Sequence, residues 1–324
     1  MNGIYKIWYV INAILVWLKK IILWSFFSIL FCCCVLVALS AFRGQKAGFG
    51  IHYFSTAAKE LVKSFLIKKP RVHSFLTSDL LCMYGQLITE PLFMSDSKLY
   101  QCNMLGLAVV AYNPYELRLM FSEIFIEECY FFRTKNEAPL IVDCGGNIGI
   151  ATLYFKKLYP LAEVIVFEPE PNSFALLQRN ITMNNLAHLQ TINRALADKK
   201  GLCFFNDQYE GSTGAHLIFK EGAVKNSKTI PVVTDVLSAY ITKPVDLLKI
   251  DVEGAEGLVL KDLASTGKLS LIKKMIIEFH PHCPMPLGEF LTILENHNFD
   301  YRIRKGQQAL IINACCDELY DDAW

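Results

Sequence analysis

Leu140-Ile141-Val142-Asp143-Cys144-Gly145-Gly146-Asn147-Ile148-Gly149-Ile150 is an apolar run, an acid and then three glycines in five positions. It reads as a strand, a tight turn and a helix start. Glycine admits positive φ and close approach of a bound molecule, and the amides at the helix start then face that ligand. Gly145, Gly146 and Gly149 are therefore candidate binding residues. Further acids close later apolar runs: Glu168 after Glu163–Phe167, Asp251 after Val245–Ile250 and Glu278 after Met275–Ile277. In an open α/β sheet ligands sit beyond the carboxyl ends of the strands, so four acids on one such edge predict a polar ligand site.

The dinucleotide fingerprint asks for glycine at its first, third and sixth positions, and Cys144 stands at the first of these. That weakens a nicotinamide site. Glu168 follows Asp143 at near the spacing of roughly 20 residues at which an acid ending the second strand holds a ribose diol. A carboxylate accepts two hydrogen bonds at once, so Glu168 with the glycine turn predicts an adenosine-containing cofactor. The turn lacks Gly-Lys-Ser/Thr, which argues against ATP.

The elements that must carry these residues alternate. Strands are predicted at Leu140–Asp143, Glu163–Phe167, around Leu189–Ala195, Val245–Ile250 and Met275–Ile277, with helices at Ile148–Leu158, around Phe174–Ile181 and near Pro286–His297. Antiparallel excursions are expected at Gly201–Phe205 and Leu217–Val233, around a polar loop Gly211–His216 expected to border the acceptor pocket. Two closing strands are expected near Tyr301–Ile303 and Ala309–Ile312. This order predicts an α/β fold with a doubly wound, mostly parallel sheet. Leu117–Phe132 is expected to be one helix, with Tyr130, Phe131 and Phe132 either lining a pocket or packing a core.

Asp-Cys-Gly-Gly-Asn-Ile-Gly, Phe-Glu-Pro, Leu-Lys-Ile-Asp-Val-Glu-Gly-Ala-Glu and Ile-Glu-Phe-His, in that order, resemble the FkbM family of S-adenosylmethionine-dependent methyltransferases over about Glu123–Phe299. The resemblance implies a Rossmann-like class I methyltransferase domain at 133–324, using S-adenosyl-L-methionine to methylate a hydroxyl of a sugar, lipid-linked glycan or polyketide-like acceptor. It implies that Asp143, Gly145, Gly146, Asn147 and Gly149 surround the methionine end of the cofactor, that Glu168 holds the ribose and that Ala195 lies near the adenine. Asp251, Glu253 and Glu256 would face the methyl group and acceptor, with His280 across from them. Asp251, Glu253 and His280 are the catalytic candidates, and no metal centre is expected. A nicotinamide oxidoreductase and a non-catalytic scaffold with the same fold are the alternatives.

Composition bounds the rest. The formal net charge of +1 gives no sign of a nucleic-acid partner. The hydrophobic share of 53% is concentrated at the front, in a region 1–42. Ile21–Phe42 carries no charge and is long enough at about 1.5 Å per residue to cross a hydrocarbon core of roughly 30 Å, so a single transmembrane helix is expected there. Residues 43–132 read as a linker and mixed extension. Lysines and arginines balance across the span, and the cytosolic side is expected for the catalytic domain because the cofactor implied by the resemblance is made there. The scattered cysteines form no Cys-x-x-Cys pair and are expected to be reduced thiols.

Overall fold

The computed structural model describes residues 99–206, 216–218, 229–306 and 309–316, together with Asp79, Leu80, Met83, Gln86 and Leu87. The expected membrane span at 21–42 and the loop residues 211–215 lie outside the described residues. Among the described residues no helix is long and apolar enough to cross a membrane. The chain divides into compact units Met1–Leu66 and Ile67–Trp324, and every described residue belongs to the second.

A hairpin of β1 (Tyr100–Met104) and β2 (Leu107–Ala111) opens this unit. Helix α1 (Pro114–Phe121) starts where proline presets φ and Asn113 Oδ1 accepts the Glu116 N–H at 2.8 Å. It runs on as a π-helical turn, Ser122–Ile126, in which Glu127 N–H donates to the Ser122 carbonyl at 2.8 Å. The predicted helix over Leu117–Phe132 therefore ends early. Glu128 takes φ +52°, which no right-handed helix tolerates, and the chain turns. Tyr130, Phe131 and Phe132 are buried beyond that turn rather than on one helical face.

The main sheet follows from β3 (Leu140–Cys144), α2 (Ile150–Leu158), β4 (Glu163–Phe167), α3 (Pro171–Met183) and β5 (Leu189–Ile192). The chain then leaves it for β6 (Ala195–Leu196), β7 (Gly201–Asn206), β8 (His216–Ile218) and β9 (Thr229–Asp235). The predicted third strand is thus two: Leu189–Ile192 pairs with β4, while Ala195–Leu196 pairs with β9 in a smaller sheet of order β6-β9-β7-β8. Arg194 N–H bonds the Ile192 carbonyl across the break.

The chain returns through β10 (Leu247–Ile250), α4 (Glu256–Ser265), β11 (Lys274–Phe279), α5 (Leu287–Asn296), β12 (Asp300–Lys305) and β13 (Leu310–Cys315). The sheet order is β12-β13-β11-β10-β3-β4-β5. The strands from β11 to β5 are parallel and β13 is antiparallel to both its neighbours, so the sheet is mixed and mostly parallel. From β3 the chain winds outward through β4 to β5, then resumes at β10 on the other side of β3 and winds the opposite way. The order reverses between β3 and β10, where the adjoining loops separate and leave a crevice. Leu247, Leu248 and Ile250 are fully buried, as a central parallel strand requires.

The hairpin and α1 are held against the α/β body. Asn180 of α3 accepts the Val110 N–H at 2.7 Å and donates to the Val110 carbonyl at 3.0 Å, and Asn184 makes the same exchange with Ala108 at 2.8 and 2.7 Å. Both side chains complete the ladder of β2 as a neighbouring strand would. Phe125 meets Tyr154 of α2 edge-on, centroids 5.2 Å apart. This packing brings α1 and Tyr130 over the crevice.

Candidate active site

One wall of the crevice is the turn from β3 to α2. Gly145 and Gly149 take φ +89° and +92°, and the Gly145 and Gly146 amides both donate to the Phe167 carbonyl of β4, at 2.9 and 2.8 Å. A Cβ on Gly145 would lie 1.8 Å from the Asp251 carbonyl oxygen, and one on Gly146 2.3 Å from Val166 Cγ1. Glycine is needed at both positions by neighbouring protein atoms. Glu168 locks the turn from the far side: its two carboxylate oxygens accept the Asn147 N–H at 2.7 Å and the Glu170 N–H at 2.8 Å. Lone pairs remain on each oxygen for a diol. Burial pushes this carboxyl up to about 7 against the pull of the two amides.

The other wall is built on β10 and β11. Lys249, fully buried in β10, sends its ammonium 2.7 Å to the Gly145 carbonyl and 3.2 Å to both Asp143 Oδ1 and Asp251 Oδ2. Burial opposes its charge, but the carboxylates of Asp143, Asp251 and Glu278 outweigh that and hold it above the ordinary lysine range. The Tyr130 ring lies 5.1 Å from this ammonium, and its hydroxyl donates to Glu278 Oε1 at 2.5 Å with Asp251 Oδ2 at 3.2 Å. Burial and then the Asp251 charge lift Glu278 to about 7 and Glu253 to about 8. Glu253 reaches the cluster from a left-handed backbone, φ +53°, beside Gly254 at +99°. His280 follows β11, with Nε2 3.4 Å from Glu253 Oε2 and Nδ1 2.8 Å from Glu256 Oε1. Burial alone would depress its pKa, yet the Glu256 hydrogen bond and the Glu253 charge raise it to about 9.

Two adjoining cavities occupy the crevice and share Gly145, Asp251 and Glu253 as their common wall. One lies under α1 and is lined by Tyr130, Asn147, Lys249, Glu278 and His280. The other is lined by Glu168, Pro169, Arg194, Ala195 and Val252. The structure thus brings the predicted Gly145, Gly146, Asn147, Asp251, Glu253 and His280 to one cavity and Glu168 with Ala195 to the next.

Three predicted positions fall elsewhere. Asp143 is fully buried and absent from both cavity walls; it faces Lys249 and the Thr152 hydroxyl, 2.9 Å away. Its place is beneath the turn, because an acid on β3 next to the β10 lysine is held by that ion pair. Glu256 is also fully buried behind His280, its carboxylate taken by the Gly254 N–H at 2.9 Å and by the imidazole. Gly149 caps α2, and a Cβ there would lie 2.7 Å from Leu177 Cδ1, so it shapes the turn rather than the cavity surface. Lys249 went unread in the sequence although a lysine inside Leu247-Leu248-Lys249-Ile250 is a signal, since a charge in a buried run needs a partner. One ligand atom each of Asp251, Glu253 and His280 lies within 4.8 Å of the others, a spacing a divalent cation can bridge, but the Lys249 ammonium already stands against Asp251.

Comparison with known proteins decides what this crevice belongs to. The Methyltransferase FkbM domain matches residues 143–302. Methyltransferase sdnD of Sordaria araneosa is 31% identical over 226 residues, covering 60% of this chain and 86% of the relative. The chain belongs to the FkbM methyltransferase family. Methyltransferase 1 of Beauveria bassiana is 32% identical over 213 residues, 59% of this chain and 84% of the relative. The 31-O-demethyl-FK506 methyltransferase FkbM of Streptomyces tacrolimicus is 24% identical over 226 residues, 60% and 86%. The matched region of this FkbM methyltransferase begins at Asp143, on the strand before the glycine turn, and runs into β12.

Proposed function

We propose that this methyltransferase moves a methyl group from S-adenosyl-L-methionine to a hydroxyl of a sugar, lipid-linked glycan or polyketide-like acceptor, at a membrane to which residues 21–42 tether a cytosolic catalytic body. The observation that carries the reading is the pairing of two unlike walls. A diol-accepting carboxylate locks a glycine turn, and Asp251, Glu253 and Glu278 face it across one crevice with the Lys249 ammonium held against Asp251. Such a site suits a ligand with a ribose at one end and positive charge at the other.

When bound, the cofactor supplies a methyl carbon on a sulfonium, so that the acceptor oxygen forms the new carbon–oxygen bond as the carbon–sulfur pair leaves to sulfur. Glu168 would hold the ribose hydroxyls, with Ala195 and Pro169 beside the base. Gly145, Gly146 and Asn147 give the methionine portion a floor without side chains in the way. Glu278 and Asp251, bridged by the Tyr130 hydroxyl, set a negative field where positive charge is carried. His280 faces the acceptor side and is the base for the hydroxyl proton. A nicotinamide cofactor fits less well, since Cys144 is buried where the fingerprint needs its first glycine. The name of the Streptomyces relative, which places methylation on an O-demethyl compound, supports an oxygen acceptor.

Incubating the full chain with methyl-labelled S-adenosyl-L-methionine and fractionated lipid and glycan extracts tests this. Label in a hydroxyl-bearing glycan or lipid is expected, and label confined to protein or nucleic acid would overturn the acceptor class. Protease protection in sealed vesicles checks the topology, with the carboxy-terminal domain expected to be digested from the cytosolic side.

A further inference from the structure

Glu256 was expected at the acceptor, and its burial behind His280 gives it a different use. The carboxylate is fully buried on the first turn of α4, where the helix terminus favours an anion. Its Oε1 accepts the Gly254 N–H at 2.9 Å and lies 2.8 Å from His280 Nδ1. One oxygen therefore ties the imidazole to the loop that carries Asp251 and Glu253. A carboxylate only accepts, so a neutral His280 must carry its proton on Nδ1, which leaves the lone pair on Nε2. Nε2 is the nitrogen on the Glu253 side, 3.4 Å from its carboxylate, and both residues line the cavity under α1.

Resting on the methyl-transfer reading, we infer that Glu256 is the positioning residue for proton removal, holding His280 so that Nε2 takes the proton of the acceptor hydroxyl. The acceptor O–H bond breaks toward Nε2, and its electron pair stays on oxygen for the new bond to carbon. The imidazolium so formed is held by Glu256 on Nδ1. Glu253, a quarter exposed, then passes the proton outward. The charges that bear on the ring are Asp251 and Glu253 from the β10–α4 loop and Glu278 from β11, while Lys249 and the neutral Tyr130 line the same cavity. His282 lies at a tilt to the ring, with centroids 5.4 Å apart. Glu256 is the group bonded to Nδ1. Its removal should therefore act on both the basicity and the tautomer of the ring.

The test is nitrogen-15 NMR of histidine-labelled full-length chain, with His280→Asn identifying the signal, alongside calorimetry of S-adenosylhomocysteine binding. In the wild-type chain the neutral His280 is expected as the Nδ1–H tautomer, titrating above a free histidine. Glu256→Gln should lower that titration by at least one pH unit and mix the tautomers, Glu256→Asp should restore most of it, and cofactor-product affinity should stay within threefold. Methyl transfer to the labelled extract fraction should fall about 100-fold or more in Glu256→Gln, the scale of general-base catalysis. An unmoved His280 titration, or an Nε2–H tautomer in the wild type, with normal binding, would overturn this role alone. Failure of the wild-type chain to bind S-adenosylhomocysteine would overturn the methyl-transfer reading and this role with it.

Discussion

The two walls of the crevice solve opposite problems. On the β3–β4 side, the Gly145 and Gly146 amides and both Glu168 oxygens are engaged by hydrogen bonds with the backbone, and the turn is closed before any ligand arrives. On the β10–β11 side, Asp251, Glu253 and Glu278 are crowded together, and burial with mutual repulsion lifts Glu253 to about 8 and Glu278 to about 7. A wall that is complete supplies shape. A wall of crowded carboxyls gains most from an incoming cation, which relieves their repulsion and lets them release their protons, and the contrast says which end of the ligand belongs where.

Lys249 joins the two walls, so its loss should do the most damage. Lys249→Met leaves Asp143 and Asp251 without their buried cation and frees the Gly145 carbonyl; about 3–5 kcal/mol of unfolding free energy should be lost, read by denaturant titration. Gly145→Ala strikes the turn alone. It sets a Cβ against the Asp251 carbonyl and forces alanine to φ +89°, at a cost of roughly 2–4 kcal/mol in the same measurement. Glu168→Gln removes the charge and sets an amide NH2 against one of the two backbone N–H groups that Glu168 now accepts, and S-adenosylhomocysteine affinity should fall roughly tenfold to a hundredfold, the value of a charged hydrogen bond.

The smallest effect is a pH dependence to which both walls contribute, the β10–β11 wall with more groups. The folded chain holds Glu168 near 7, Glu278 near 7, Glu253 near 8 and His280 near 9, each above its ordinary value. These groups bind protons more tightly folded than unfolded, so the stability they contribute is present at low pH and lost as pH rises through those values. The melting temperature of the ligand-free chain should fall from about pH 6 to about pH 9. Glu253→Gln should flatten that slope more than a surface change such as Glu163→Gln.

Much of this fold was legible because parallel strands buried on both faces read as nearly continuous apolar runs. Leu140–Val142, Val164–Phe167 and Leu247–Ile250 announced themselves, and the acids at their ends marked the ligand edge. The break at Ile192–Ala195 was not legible, since a two-residue strand paired with distant β9 leaves no local periodicity. The turn at Glu128 was hidden for a similar reason: aromatic residues continue past it, and burial persists while the helix does not. In the site, Gly145, Asn147, Glu168, Asp251 and His280 were readable by type and spacing. Asp143 and Glu256 were not assignable to the support of Lys249 and His280, because which side of a strand end an acid faces depends on the partner it meets there.

The most direct test of the account is calorimetric binding of S-adenosyl-L-methionine and S-adenosylhomocysteine to the wild-type chain, Glu168→Gln and Glu278→Gln. The two ligands share the ribose and differ by the methyl group and the sulfonium charge. Glu168→Gln should weaken both alike, and Glu278→Gln should weaken the sulfonium ligand more than the neutral thioether. Equal loss for both ligands in Glu278→Gln, or no binding of either by the wild type, would contradict the division of the crevice into a ribose wall and a cation wall.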